Sequence, residues 1–134
     1  MQDVDINYWA VLVAAVVPML LGALWYSPAL FARSWMRAVG RTEEELSGMG
    51  LGYVISAVAA LLTSYALARL EHWAEVDDLW NGGLVGLLVW VGFVATVLAV
   101  NTYFGGRPAQ LWFINAGYQL VALLIMGGIL GAWT

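Results

Sequence analysis

The stretch "LWNGGLVGLLVWVGFVATVLAV", Leu79 to Val100, runs for 22 residues without an Asp, Glu, Lys or Arg. A helix needs about 20 apolar residues to cross a hydrocarbon core roughly 30 Å thick. Membrane strands alternate apolar and polar residues, and this stretch does not. Lipid offers the backbone no hydrogen bonds, so such a segment satisfies its own by becoming a helix.

Three further runs share this character: Asn7 to Tyr26, Leu51 to Leu70 and Ala109 to Trp133. Each has 20 or more residues, and Arg69 is the single charge among the four. The chain of 134 residues is 63% hydrophobic and 10% charged, with mean hydropathy +0.82. A soluble domain averages about 25% charged residues. A chain this short has too much surface relative to volume to hide the excess. The fold class is therefore an all-α membrane protein, one domain over residues 1–134. It has four transmembrane helices and a short interfacial amphipathic helix between the first and second. Pro18 is expected to kink the first span. That span is expected to be retained, because "MQDVDIN" lacks a basic region and the apolar stretch is long for a signal peptide. The net charge of -4 comes from short loops, and there is no cysteine for disulfides or thiol chemistry.

The interfacial helix is read from residues 28–40. Ser27 is a preferred N-cap and Pro28 suits the first helical position. At 100° per residue, Arg33, Ser34, Arg37 and Arg41 share one arc, while Phe31, Trp35, Met36, Ala38 and Val39 take the other side. The arginines face headgroups and water. Arg33, Arg37 and Arg41 in loop one, with Arg107 in loop three, stand against Arg69 alone on the opposite side. The excess predicts loops one and three in the cytoplasm and both termini outside. Thr42 and Glu45 have capping-box spacing, so a helix is expected from there into the second span, with Gly48, Gly50 and Gly52 as a possible joint.

Small residues allow helices to approach closely in lipid. Ser56, Ala60, Ser64 and Ala68 recur every four residues; Gly82 and Gly86, and Gly127 and Gly131, form two further pairs. These are packing seams, within the bundle or between the protomers of an expected homodimer. The polar residues form a layer placed in the cytoplasmic half. Asn115, Tyr118 and Gln119 come from the fourth span, Thr96 and Asn101 from the third, Ser56 and Tyr53 from the second and Tyr26 from the first. They are either glue between helices or the lining of a small pocket. Trp90 stands apart, near mid-membrane.

No metalloprotease, nucleophile-elbow, phosphate-loop or dinucleotide pattern occurs. His72, beside Glu71 and Glu75, reads as a solvated loop residue, too few fixed ligands for a metal. The spans read as free of the ionisable groups that mark pumps. Neither a cofactor nor a nucleic-acid partner is expected, and no nucleophile–base set points to an enzyme.

The segments "NYWAVLVAAV", "LGALWYSPALFARSWMRAVG" and "GLLVWVGFVATVLAVNTYFGGRPAQLWFINAGYQLVALLIMGGILGAW" resemble the membrane proteins of domain-of-unknown-function family 1761. The resemblance runs from about Asn7 to Trp133. It implies a four-helix bacterial membrane protein and no particular activity. It places weight on Trp25, Tyr26, Ser27, Pro28, Phe31, Trp35, Trp90, Gly92, Phe93, Arg107, Asn115, Gly117 and Tyr118. Some family members carry His at the position of Gln119, so the resemblance implies no titrating role for this residue here. Two functional classes follow. The first is a non-enzymatic, self-associating interaction protein of the lipid bilayer. The second is a carrier, channel or binder of a small or lipophilic molecule.

Overall fold

The computed structural model describes residues 6–40 and 50–133, and every regular element among them is helical. Asn7 opens α1 (Tyr8–Trp25): its side-chain oxygen accepts from the backbone N–H groups of Trp9 and Ala10, which lie in the unpaired first turn. Pro18 lies inside this helix. The chain then turns through residues 27–31 before α2 (Ala32–Val39). This corrects the expected start at 28. A residue before proline resists the helical conformation, and Ser27 turns its hydroxyl back onto the Leu24 carbonyl at 2.6 Å. It thus closes α1 and does not cap α2. Gly40 ends α2 in the left-handed region, φ 78°.

Three long helices follow: α3 (Gly50–Trp73), α4 (Leu79–Phe104) and α5 (Ala109–Ala132). With α1 they are long and apolar enough to span a membrane. One segment of α4, Trp90–Ala95, widens to π-helical bonding. Arg41, Thr42, Glu45 and Gly48, and with them the expected helix start after loop one, lie outside the described residues; Gly50 and Gly52 belong to α3.

The central helix is α5, which packs against all the others. Ala10, Val11 and Ala14 of α1, Leu67 of α3, and Ala122, Leu123 and Met126 of α5 form its core. Asn7 donates to the Trp133 carbonyl at 3.3 Å. The start of α1 and the end of α5 therefore share one end of the bundle, the terminal end.

The glycine pairs meet each other. A Cβ on Gly82 or Gly86 would overlap the carbonyls of Gly127 and Leu123, and one on Gly127 or Gly131 those of Gly82 and Asp78. Only glycine permits this approach, so α4 and α5 cross backbone to backbone within one protomer. The serine stripe is only half used. Ala60 and Ser64 are buried, and the Ser64 hydroxyl donates to the Val11 carbonyl of α1 at 2.8 Å. Ala68 is half-buried, while Ser56 is exposed and bonds to Gly52 of its own helix. The buried line runs Ala60, Ser64, Leu67, Glu71. A four-residue step drifts by about 40° around a helix of 3.6 residues per turn, so a straight seam must include steps of three.

Candidate functional site

The expected polar layer divides into three groups. At the loop-one end, Tyr26 donates to Asn115 Oδ1 at 2.7 Å and Tyr118 donates to the Pro18 carbonyl at 2.6 Å. The two phenol rings meet edge to face at 5.4 Å, and Trp35 of α2 closes on Tyr26 at 5.8 Å. These groups bind α1 and α2 to α5, so here the polar residues act as glue. Trp25 donates to the Ile114 carbonyl at 2.9 Å with its ring against Phe31. Gly117 leaves room for that ring, since a Cβ would stand 3.2 Å from it. Arg107 donates to the Val39 carbonyl and holds loop three to the end of α2, while Arg33 and Arg37 stay exposed.

Thr96, Asn101, Tyr53 and Ser56 do not join that group. All four are exposed, and Thr96 bonds to Gly92 of its own helix. A serine or threonine that returns its proton to the preceding turn tolerates lipid. Trp90 is half-buried and donates to the Ala116 carbonyl at 2.8 Å; Trp112 of α5 donates in return to Ala95 at 3.0 Å. These two indoles clasp the π segment to α5. Gly92 has open space about it and Phe93 is exposed.

Gln119 has a different setting. Where α3 and α4 part, a cleft of about 400 Å³ opens between them, with Leu67, Leu70, Phe93 and Val97 on its walls and Leu123 and Gln119 on its floor. Thr63 supplies a hydroxyl. Among the described residues the Gln119 side chain makes no hydrogen bond. The cleft crosses the middle of the bundle: Thr63, Ala66, Leu67 and Leu70 come from the terminal half of α3, while Phe93, Val94, Val97 and Leu98 of α4 and Gln119 of α5 come from the half nearer loops one and three. Closer to loop one the tyrosine cluster ties α1 to α5. The gap opens because α3 leans on α1 while the glycine crossing draws α4 onto α5.

Glu71 departs furthest from the expectation of a loop and of spans without ionisable groups. It is the last member of the buried stripe of α3 and only 2% exposed. Its Oε1 stands 2.5 Å from where a Gly82 Cβ would lie and 3.1 Å from that of Gly131. Among the described residues neither carboxyl oxygen has a hydrogen-bond partner. Counting charges places Glu71 just past a span; its spacing from Ser64 and Leu67 was the signal for burial. Asp78, which caps α4, contrasts with it. The Asn81 backbone N–H, then its side-chain amide, hold the Asp78 carboxyl below its ordinary value.

Residues 9–131 match the family model described as "Protein of unknown function (DUF1761)". No curated protein and no solved structure matches the chain.

Proposed function

The chain belongs to the DUF1761 family of proteins of unknown function, and on that premise we propose that it is a membrane protein that binds or carries a lipophilic molecule without converting it. The supporting observation is the cleft between α3 and α4, with Gln119 on its floor. An apolar wall at membrane depth receives an acyl or isoprenoid chain from the bilayer without stripping water from it. Selectivity then falls to the amide. Gln119 is half-buried, and an amide held against apolar surroundings without a partner costs about 1–3 kcal/mol by protein mutational measures. A ligand carrying one hydroxyl or carbonyl above an apolar body removes that cost, and a plain hydrocarbon does not.

The competing reading, self-association, rested on the small-residue seams. The glycine pairs are occupied inside the protomer, which leaves the cleft as the better supported reading. We place the protein in a bacterial inner membrane on its resemblance to the family, and put loops one and three in the cytoplasm on the excess of Arg33, Arg37, Arg41 and Arg107 over Arg69.

The test is native mass spectrometry of the protein released from native-lipid particles. Wild type should retain a specific lipophilic adduct. Ala66→Trp, which fills the cleft, should lose it, and Gln119→Leu should retain less of it or exchange it for a more apolar species. The same bulk lipid profile on all three proteins would sink the reading.

A further inference from the structure

We propose that Glu71 is the anionic centre of a small monovalent cation site, taking a proton or an alkali ion, at the terminal end of the bundle. The inference rests on the socket around the carboxyl and is independent of the cleft.

Oxygens converge at this point, and none of the described donors reaches the Glu71 carboxyl. The position a Gly82 Cβ would occupy lies against both Glu71 Oε1 and the Gly127 carbonyl, and that of Gly131 lies against Oε1 and the Asp78 carbonyl. A carboxyl oxygen therefore faces two backbone acceptors across two glycines. Neither carboxyl oxygen is exposed or bonded among the described residues. A bare carboxylate buried beside carbonyl dipoles is unfavourable, and a cation among the oxygens adds an attraction to each of them that offsets this repulsion.

The described residues supply no such cation. From α5, Ala109 to Ala132 brings no charged side chain, and neither does α1 from Tyr8 to Trp25. From α4 comes Asp78, an anion whose oxygens are taken by Asn81. On α3 itself, Arg69 lies two residues back, and residues so spaced do not share a helix face. Arg69 donates to Tyr65 at 2.7 Å and lies over the rings of Tyr65 and Trp73. His72 lies in the last turn of α3, not in a loop as expected, and both it and Glu75, past the helix end, are exposed. The two glycines keep the socket open: a side chain at 82 would displace the carboxyl, and one at 131 would strike the Asp78 carbonyl and press on the carboxyl.

The test uses the full-length protein in lipid nanodiscs and dicyclohexylcarbodiimide, an apolar reagent for protonated carboxyls in membranes. The acid gives its proton to a carbodiimide nitrogen and its oxygen to the central carbon; the O-acylisourea then rearranges to a stable N-acylurea. In sodium-free, mildly acidic buffer, peptide mapping should find the adduct on Glu71, and Glu71→Gln should reduce labelling of that peptide to background. If labelling falls as pH rises and ignores sodium, the occupant is a proton. If sodium at constant pH suppresses it and choline does not, the occupant is the metal ion. Thermal stability of the wild type should follow the same cation, and that dependence should vanish in Glu71→Gln. Absence of a Glu71 adduct from mildly acidic to mildly alkaline buffer without sodium overturns the proposal. So does a wild-type stability indifferent to both cations.

Discussion

Tyr26 shows what a single polar group does in this bundle. Its hydroxyl bonds Asn115 across two helices, and its ring packs between Trp35 and Tyr118. Tyr26→Phe keeps the ring and removes the donor. Interhelical hydrogen bonds in membranes are worth about 0.6–2 kcal/mol, so the variant should unfold earlier by an amount in that range. Thermal or steric-trap unfolding in detergent checks it, and a change near zero would mean that lipid or water replaces the bond. Asn115 was readable as an amide that must turn inward, because lipid offers it nothing. That Gln119, one turn later on the same helix, meets a cleft was not readable. The difference depends on where α3 sits.

At the scale of elements, the crossing of α4 and α5 sorts the glycines by what surrounds them. Gly82→Ala, Gly86→Ala, Gly127→Ala and Gly131→Ala each place a methyl against a backbone carbonyl or the Glu71 carboxyl. Each should destabilise by about 1–3 kcal/mol, the usual range for overpacking. Gly92→Ala and Gly83→Ala should be near neutral, since a Cβ at Gly92 meets nothing within 4 Å and one at Gly83 only a carbonyl at 3.9 Å. The crossing joins two parts of one chain, so the loss should not depend on protein concentration. A loss that deepens on dilution would place the seam between protomers. The glycine pairs were legible as seams from their spacing. Their partners were not, because a small-residue face has no polarity to name the helix it meets.

For the whole molecule, the arrangement of ends is definite and the direction in the membrane is a prediction. Asn7 and Trp133 meet at one end, and Arg107 holds loop three to α2 at the other. A chain without cysteine suits single-cysteine mapping. Cysteine at Gly106 should resist an impermeant thiol reagent in intact cells, and cysteine at Glu75 should react. The reverse pattern would invert the assigned orientation.

By itself the sequence determined four helices long and apolar enough to span a membrane, because lipid leaves an uncharged run of that length no other way to bond its backbone. It also determined the amphipathic α2, whose charges sit on one face, and the inward turn of Asn115. Only the tertiary structure decided the rest: that the glycine seams close within one chain, that the open space lies between α3 and α4, and that Glu71 enters the bundle. The physical reason is the same in each case. Hydropathy reports a residue's cost of entering lipid, and it is silent about which helix stands opposite. Glu71 reads as a loop residue until Gly82 and Gly131 leave a space where its carboxyl fits.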